Sequence, residues 1–380
     1  MISPAFFINT LSEHGVDFFT GVPDSLLKSV CAYITDHKDS NHHVIAANEG
    51  GAVALATGYH LATGHIGCVY MQNSGLGNVV NPLASLTDRE VYGIPMLLLI
   101  GWRGRPGQHD EPQHVKQGKI TTGLLNVLGV NYEVLSHDES TAARQISHAM
   151  DEIKCRREVF ALVIEKDTFE PYTLQQSTEN NLSLGREEAI GFISESIEHD
   201  AVVVSTTGMI SRELFEYRSA KGESHERDFL TVGSMGHASQ IALGIAMQHP
   251  ERKVYCLDGD GATIMHMGAL AITGSRKQKN FVHIVLNNGA HDSVGGQPTA
   301  GFDIDLVQIA LGCGYRKAMR IDNRDELNNL NNVIKDIEGP VFVEIRVRRG
   351  NRKDLGRPTT TPLDNKMALM DFLMKESSKK

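Results

Sequence analysis

The stretch of sequence best suited to chemistry is the tetrapeptide DGDG at 258–261, which follows the apolar run VYCL. Glycines let a ligand approach the backbone closely, and open parallel sheets bind ligands at the carboxyl ends of their strands. The pattern is not the dinucleotide fingerprint GxGxxG, because Ile264 stands where the third glycine would be. The stretch therefore predicts either an Asp-Gly turn or a site where a carboxylate meets a ligand.

A second polar pair, Asn287-Asn288, ends the next strand-like run, FVHIVLN. The 25 residues between Gly261 and Asn287 are enough for one helix and one strand, and consecutive strands of this kind are often neighbours. Asp260 is then expected to meet the asparagines at one edge of a sheet. A carboxylate, an amide oxygen and a backbone carbonyl are ligands that suit Mg²⁺. The alternative is two separate turns, Asp-Gly and Asn-Gly.

Strand-like and helical patterns alternate along both halves of the chain. The apolar runs are VDFF, HVIAA, GCVYM, PMLLLIG, NYEVL and FALVIE, then AVVVST, FLTVG, KVYCLD, FVHIVLN and PVFVEIRV. The helical patterns include 24–37, 49–63 and 139–155. This alternation predicts an α/β fold with mostly parallel sheets and helices on both faces. A polar segment between the halves predicts a first domain at 1–167, a linker at 168–185 and a second domain at 186–380.

Composition excludes several classes of protein. The 380 residues carry a net charge of −9, which argues against nucleic acid as a partner. The five cysteines include no CxxC, which favours reduced thiols in a cytoplasmic protein. The N-terminus does not resemble a signal peptide, and the longest apolar runs are too short to span a membrane, so no membrane partner is expected.

The GDG and NN motifs at this spacing resemble the signature of thiamine-diphosphate-dependent enzymes. Three other stretches carry the same resemblance: AANEGGAVALATGYHLATG (46–64), STTGMISREL (205–214) and TVGSMGHASQIALGIA (231–246). The resemblance implies two thiamine-diphosphate-binding domains, one for the pyrimidine and one for the diphosphate, with Mg²⁺ held by Asp260, Asn288 and the Ala290 carbonyl. The cofactor-binding residues it implies are Glu49, Thr207, Gly208, Gly233, Ser234, Met235, Asp260, Gly261, Ala262 and Asn288.

Glu49 has two interpretations. From the residues alone, Asn48 caps a helix and Glu49 is favoured by the helix dipole. The resemblance instead implies that Glu49 is catalytic and hydrogen-bonds N1′ of the aminopyrimidine ring, where it can share its proton. Met235 is likewise either an apolar wedge against the cofactor, as the resemblance implies, or an ordinary core residue.

The chain is too short for the middle domain that many members of this family possess. In this respect it resembles the compact family members that decarboxylate 3-phosphonopyruvate or 3-sulfopyruvate, and the fusion of both domains in one chain favours the former substrate. The implied function is decarboxylation of 3-phosphonopyruvate to phosphonoacetaldehyde and CO₂ in phosphonate biosynthesis, with 3-sulfopyruvate decarboxylation or a related carboligase reaction as alternatives. The family also implies a homodimer or homotetramer with active sites between subunits.

Basic loops are consistent with a small anionic 2-keto acid as substrate. Arg103, Arg105 and Lys116 lie in WRGRPGQHDEPQHVKQGK, and arginine side chains suit phosphonate groups. A second basic stretch, 346–358, is predicted equally as part of the substrate site or as a solvated loop. The predicted proton donors are His109 and His114. The resemblance places Asp24 and Ser25 in a loop that faces the substrate.

Overall fold

The structure, a computed structural model, describes residues 1–176, 182–330, 334 and 337–377. Residues 177–181 of the predicted linker lie outside this part of the chain. The described residues form two compact units, of which the first contains the residues before 177 together with His291–Pro298. No sequence pattern indicates that this short segment belongs with the first unit, and the boundaries at 167 and 186 stay a prediction.

The first unit is built on a six-stranded sheet in the order β2-β1-β3-β4-β6-β5, and every strand pair is parallel. Strands β1 to β6 are Phe18–Gly21, His43–Ile45, Gly67–Gln72, Met96–Gly101, Asn131–Val134 and Val159–Ile164. Helices α1 to α6 are Pro4–Glu13, Lys28–His37, Glu49–Thr63, Leu76–Pro82, Pro112–Val127 and Glu139–Arg156. Short 3₁₀ and π segments, Asn73–Gly75 and Leu83–Thr87, flank α4.

Both faces of this first sheet are covered, as an uninterrupted apolar strand requires. Successive side chains of a strand point to opposite faces. In β4, Leu97 and Leu99 therefore pack with residues of α1, α2 and α6, whereas Leu98 and Ile100 pack with residues of α3, α4 and α5. The apolar run MLLLIG is explained by this double burial.

The second unit repeats the architecture with a six-stranded sheet in the order β11-β12-β10-β9-β7-β8, again with parallel pairs. Strands β7 to β12 are Val202–Ser205, Asp228–Leu230, Val254–Gly259, Phe281–Asn287, Lys317–Ile321 and Val341–Arg346. Helices α7 to α13 are Arg186–Ser196, Met209–Ala220, Ala238–Gln248, Asp260–Met265, Gly268–Arg276, Leu306–Gly312 and Arg324–Asn328, and the C-terminal helix is Pro362–Ser377.

Helices cover both faces of the second sheet as well. Leu257 and Ile284 pack on the face covered by α7 and α8, while Cys256 and Val285 pack on the face covered by α9, α11 and α12. The predicted α/β class with parallel sheets is therefore confirmed. Within the described residues, no helix has the length and apolar character needed to cross a bilayer.

Two elements differ from their prediction. The helix predicted at 24–37 begins only at Lys28. The Asp24 carboxylate accepts a hydrogen bond from the backbone N–H of Leu26 at 2.9 Å and so holds the preceding residues in a turn. Strand β11 was not predicted, because Lys317 and Arg320 interrupt its apolar pattern. It lies at the edge of its sheet, where such residues are common.

Candidate functional site

Strands β9 and β10 are neighbours near the middle of the second sheet and end at the same edge. Their parallel register places Gly259 opposite Leu286. Asp260 therefore leaves one strand beside Asn287, the last residue of the other. This edge is the usual place for a ligand in an open parallel sheet.

Asp260 begins α10 and is only 3% exposed. Its carboxylate accepts hydrogen bonds from the backbone N–H groups of Asp260, Gly261 and Asn288 and from the hydroxyl of Thr299. Burial raises the pKa of the Asp260 carboxyl to about 6, and these hydrogen bonds oppose the rise. A divalent cation next to the carboxylate would offset the cost of burial, because it stabilises the ionised form.

Asn288 and Ala290 lie in the loop beside this carboxylate and are buried. The Asn288 backbone N–H reaches Asp260, and the Asn288 side-chain oxygen accepts a hydrogen bond from the Ala290 N–H at 3.1 Å. Gly289 between them has a φ of 66°, and a Cβ there would lie 2.5 Å from the ring of Phe302. The loop therefore requires glycine, and it carries Asn288 and Ala290 beside Asp260, while their role as cation ligands stays a prediction.

The side chain of Asn287 is engaged within the protein. Its amide nitrogen donates to the Gly301 carbonyl and to the Glu344 carboxylate, both at 2.7 Å. Its oxygen accepts a hydrogen bond from the Gly289 N–H at 3.1 Å. The Asn287 side chain therefore holds the loop in its conformation, whereas the backbone N–H of Asn288 donates to the Asp260 carboxylate.

Two further loops follow β7 and β8. The Gly233 N–H donates to the Thr207 hydroxyl at 3.0 Å, which joins the two predicted cofactor loops. Gly208, with φ of 100°, precedes α8, and no atom lies within 4 Å of the position that a Cβ would take. Gly233 and Ser234 also have positive φ, of 67° and 45°. A serine in this region is strained, and such strain is concentrated at functional sites.

Several buried hydroxyl groups near these loops lack a hydrogen-bond partner in the described residues, which bears on whether the loops fit a polar cofactor. Thr206, Thr231 and Thr263 each have a buried hydroxyl without a hydrogen-bond partner among the described residues. Thr206 and Thr231 precede the loops at 207–208 and 233–236, and Thr263 lies in α10, next to Ala262. An unsatisfied buried hydroxyl is costly, so a bound group with phosphate or ring acceptors would stabilise this edge. Met235 is half-buried there, and its contact with a cofactor stays a prediction.

A buried polar trio, Cys256, Asp258 and His283, lies further inside the same sheet, with its potential ligand atoms within 4.8 Å of one another. His283 contacts the Asp258 carboxylate at 3.4 Å through Nε2 and the hydroxyl of Tyr315 at 3.1 Å through Nδ1. These hydrogen bonds account for both side chains as satisfied core residues.

Glu49 begins α3 in the first unit and is 5% exposed. Asn48 caps this helix, since its side-chain oxygen accepts a hydrogen bond from the Gly51 N–H at 2.9 Å. The Glu49 carboxylate accepts a hydrogen bond from the Asn78 amide at 2.6 Å and lies against Gly75, where a Cβ would be 2.5 Å from it. No described basic side chain pairs with this buried carboxyl group, and its catalytic role stays a prediction.

Asp24, Ser25 and Arg103 meet at the carboxyl edge of the first sheet. The fully buried Asp24 carboxylate accepts a hydrogen bond from the Gln72 amide at 2.6 Å. Arg103 donates to the Ser25 hydroxyl at 2.7 Å and to the Asp110 carboxylate at 2.8 Å. The sequence interpretation missed Gln72 and Asp110. Gln72 could have been found as the polar residue that ends β3, whereas no local pattern indicates the partner of Arg103.

The two predicted histidines have different surroundings. His114 is buried in α5, and burial, aided by the nearby charge of Arg103, lowers the pKa of its imidazole below its ordinary value. His114 is therefore neutral at pH 7. His109 is exposed, and no described residue hydrogen-bonds its ring.

The predicted substrate cations also differ in their partners. Arg105 pairs with the Glu165 carboxylate at 2.7 Å and lies over the Trp102 ring. Lys116 is exposed on α5, and none of the residues that the structure describes pairs with it. Both arginines of the loop are thus bonded to carboxylates, while Lys116 is not.

The basic stretch 346–358 makes mostly internal contacts. Arg346 pairs with Glu344 at 3.3 Å, and Arg352 pairs with Glu187 at 3.0 Å. Arg349 donates to a backbone carbonyl at 3.0 Å. These contacts favour a structural role for much of the stretch over a free anion-binding patch.

The two units match two sequence families. Residues 4–124 match the family described as "Thiamine pyrophosphate enzyme, N-terminal TPP binding domain", and residues 206–345 match the family described as "Thiamine pyrophosphate enzyme, C-terminal TPP binding domain". Fold and site together thus define a thiamine pyrophosphate enzyme of two domains, without a middle domain between the matched ranges.

Curated relatives extend the similarity over nearly the whole chain. A phosphonopyruvate decarboxylase of Streptomyces viridochromogenes is 32% identical over 96% of this chain and 93% of its own length. A second phosphonopyruvate decarboxylase, from Streptomyces hygroscopicus, is 32% identical over 95% of this chain and 92% of its own length. A sulfopyruvate decarboxylase of Methanosarcina acetivorans is 25% identical over 90% of this chain and 91% of its own length. The chain belongs to the family of thiamine pyrophosphate enzymes that includes these decarboxylases, which confirms the resemblance found in its motifs.

Proposed function

We propose that this chain catalyses the decarboxylation of 3-phosphonopyruvate to phosphonoacetaldehyde and CO₂, a step of phosphonate biosynthesis, with thiamine diphosphate and Mg²⁺ as cofactors. The observation that carries the proposal is the buried Asp260 carboxylate, which accepts a hydrogen bond from the Asn288 backbone where β9 and β10 end. The two Streptomyces relatives, both named phosphonopyruvate decarboxylase, support the choice of substrate.

The cation is proposed to bind the carboxylate of Asp260, the side-chain oxygen of Asn288 and the carbonyl of Ala290. These are hard oxygen ligands, of the kind that Mg²⁺ would take from a protein. The raised pKa of Asp260 supports this assignment, because no cationic side chain among the described residues pairs with this buried carboxylate. The residues proposed to hold the diphosphate are Thr207, Gly208, Gly261 and Ala262.

Thiamine diphosphate supplies the electron sink, since its thiazolium ring accepts the electron pair that CO₂ leaves behind. Glu49 is proposed to exchange a proton with N1′ of the aminopyrimidine ring. Its burial and its hydrogen bond from Asn78 hold the carboxyl group in one position, and no described cation fixes it in the ionised form. The Gly233 carbonyl and the neighbouring Ser234 and Met235 are proposed to hold the same ring.

The substrate is proposed to bind beside Asp24 and Ser25. Arg103 offers little net positive charge to an anion there, because Asp110 and Asp24 both lie close to its guanidinium group. Arg103 is therefore proposed to position the loop, while Lys116, which has no carboxylate partner among the described residues, meets the phosphonate. Arg105 is held by a carboxylate in the same way as Arg103.

The proton that carbon 2 of the substrate gains after loss of CO₂ is proposed to come from His109 or His114. Burial lowers the pKa of His114, so its protonated imidazolium, the form that can give up a proton, is the minor form near pH 7 but a stronger acid than an ordinary histidine. His109 is exposed and can exchange protons with water.

The protein is proposed to form a homodimer or homotetramer in the cytoplasm, with Glu49 of one subunit serving the diphosphate-binding unit of another. Exposed apolar residues on α3 and α4 support self-association: Leu55 is 41% exposed, Leu61 72% and Val80 36%. The free state of all five cysteines supports a reducing compartment.

The Methanosarcina relative favours 3-sulfopyruvate as a second candidate substrate, since it is named for that activity and covers most of the chain. Both substrates carry an anionic group next to the keto acid. The sulfonate has one negative charge and the phosphonate carries up to two, so the cations near the substrate decide between them.

The decisive experiment measures CO₂ release by the purified protein, loaded with thiamine diphosphate and Mg²⁺, from 3-phosphonopyruvate, 3-sulfopyruvate and pyruvate. The highest kcat/KM is expected for 3-phosphonopyruvate. Faster turnover of 3-sulfopyruvate would establish the second candidate, and condensation products such as acetoin would establish a carboligase. A loaded protein that releases no CO₂ from any of the three refutes the proposal.

A variant tests the proposed phosphonate contact. Lys116→Met should raise KM for 3-phosphonopyruvate while leaving that for pyruvate unchanged, because only the former carries the extra anionic group. Lys119→Met is the matched control, since Lys119 is also exposed on α5. Equal effects of Lys116→Met on both substrates would show that Lys116 does not meet the phosphonate.

A further inference from the structure

We propose that Glu344 is a positioning residue for the divalent cation site, although it contacts none of the proposed cation ligands. The inference rests on the proposed function, because it concerns the affinity for the same cation. Glu344 lies on β12 and is fully buried. Its carboxylate accepts hydrogen bonds from an arginine side chain and from the amide of Asn287, the residue before the proposed ligand Asn288.

Three side chains surround the Glu344 carboxylate. Arg320 on β11 approaches it with Nε at 2.7 Å, and Arg346 does so with Nε at 3.3 Å. The Asn287 amide nitrogen donates to it at 2.7 Å. Strand register fixes these neighbours, since Arg320 lies opposite Glu344 and Arg346 opposite Asn287. Two guanidinium groups and an amide thus balance the charge and fill the acceptor positions of this buried carboxylate.

The Glu344 carboxylate, together with the Gly301 carbonyl, determines how the Asn287 amide is oriented. A carboxylate can only accept hydrogen bonds, whereas the oxygen and nitrogen ends of an amide have nearly the same shape. Glu344 therefore selects the orientation in which the NH₂ group faces β12. The Asn287 oxygen must then face the Gly289 N–H, which it does at 3.1 Å.

The oriented amide connects both sides of the cation site. On one side, Gly289 belongs to the loop that carries Asn288 and Ala290. On the other side, the Asn287 nitrogen donates to the Gly301 carbonyl at 2.7 Å. The Gly301 N–H in turn donates to the Thr299 hydroxyl at 3.1 Å, and that hydroxyl donates to the Asp260 carboxylate.

The reverse orientation would break these contacts. The amide oxygen would face two acceptors, the Glu344 carboxylate and the Gly301 carbonyl, and the NH₂ group would face the donor at Gly289. Both loops would then shift, and the oxygen ligands would lose their arrangement around the cation. Groups that orient metal ligands in this way typically change the affinity for the metal by about 10- to 100-fold.

The test measures binding rather than turnover. Mn²⁺ replaces Mg²⁺, and the free ion is followed by electron paramagnetic resonance in the full-length protein at saturating thiamine diphosphate. Glu344→Gln keeps the size of the side chain but can turn an NH₂ group towards Asn287, which removes one of the two acceptors that orient the Asn287 amide. The variant should bind Mn²⁺ about 10- to 100-fold more weakly. It should regain the wild-type kcat when Mg²⁺ is raised to saturation.

Two further variants separate positioning from general stability. Arg320→Gln acts at a side chain that is 29% exposed, so it should fold, and it should weaken Mn²⁺ binding less than Glu344→Gln does. Asp228→Asn removes the charge of another fully buried carboxylate, paired with Arg218 at 2.8 Å, and should lower the melting temperature without changing Mn²⁺ affinity.

The outcomes distinguish this inference from the proposed function. If the wild-type protein binds neither Mn²⁺ nor thiamine diphosphate, the proposed function itself fails. If the wild type binds both and folded Glu344→Gln binds Mn²⁺ with equal affinity, only the positioning role is overturned. The role is also overturned if Asp228→Asn weakens Mn²⁺ binding as much as Glu344→Gln does.

Discussion

A single methyl group added at Gly301 would test how closely two loops approach the Asp260 carboxylate. A Cβ at this position would lie 2.6 Å from the Asn287 side-chain oxygen, 2.7 Å from Asp260 Oδ2 and 2.9 Å from Asp260 Cβ. Ordinary contacts of a Cβ begin at 3.4 Å, so the two oxygens would have to withdraw by 0.7 to 0.8 Å. The backbone of Gly301 has no positive φ, so Gly301→Ala acts through steric contact alone.

The size of the effect follows from the anchoring of both oxygens. Asn287 is held by Glu344, and Asp260 is held by its hydrogen bonds from Asn288 and Thr299. Neither oxygen can rotate away without losing such a bond. Overpacking of this kind costs about 1–3 kcal/mol. If the cation binds only to the original arrangement, this cost is subtracted from the binding free energy. Each loss of about 1.4 kcal/mol then weakens binding tenfold. We therefore expect Gly301→Ala to bind Mg²⁺ about 10- to 100-fold more weakly.

The assay is isothermal titration calorimetry, in which Mg²⁺ is titrated into the protein at saturating thiamine diphosphate. Gly312→Ala is the matched control, because nothing lies within 4 Å of a Cβ there and the residue ends α12. The control should bind Mg²⁺ like the wild type and should be at least as stable in thermal melts. If folded Gly301→Ala binds Mg²⁺ with wild-type affinity, the loops are not as close to the cation as we infer.

Three other predictions concern Glu49 and the cation site. Glu49→Gln should retain thiamine diphosphate in equilibrium dialysis but lose decarboxylation by about 10²- to 10⁴-fold, as expected for a lost proton-transfer group; wild-type turnover would exclude the role. Gly75→Ala, which would place a Cβ 2.5 Å from the Glu49 carboxylate, should lower kcat, whereas Gly77→Ala, with nothing within 4 Å, should not; equal rates in both variants would contradict the contact. In the cation-free protein the pKa of Asp260 is raised from 3.8 to about 6. The folded state therefore holds this proton more tightly than the unfolded chain, and the free energy of unfolding due to this group falls as pH rises between these values. Mg²⁺ binding should strengthen over the same range, because the proton must leave, and Asp260→Asn should remove the stability trend from a pH series of thermal melts. Identical pH profiles for the variant and the wild type would refute the assignment.

Much of the fold could be predicted because buried parallel strands leave a strong pattern. MLLLIG is apolar at every position because both faces of β4 are covered. The exception, β11, shows why the pattern fails at an edge. Arg320 interrupts its apolar character, and the reason for an arginine there is Glu344, which is opposite it on β12 but distant in sequence.

The location of the candidate site could be predicted, but its hydrogen-bond partners could not. Asp260 and Asn288 follow consecutive strands, and the geometry of parallel sheets makes their approach a consequence of topology. Thr299 and Gly301 complete the surroundings of Asp260 from a loop whose course depends on packing, which includes the contact of Phe302 with Gly289. No local pattern of sequence encodes such a contact.

Charge is the property that the sequence describes least completely, because a sequence shows the charges and not their partners. The loop that carries Arg103 and Arg105 looks like an anion-binding loop, yet both guanidinium groups are paired with carboxylates. A paired arginine can bind an anion only after its existing ion pair is broken. The free energy gained from the anion is therefore reduced by the cost of breaking that pair and of desolvating the charged groups. The proposed recognition of an anionic substrate therefore relies on a cation that pairs with no carboxylate in the described part of the chain, Lys116. The paired arginines instead fix the loops in place.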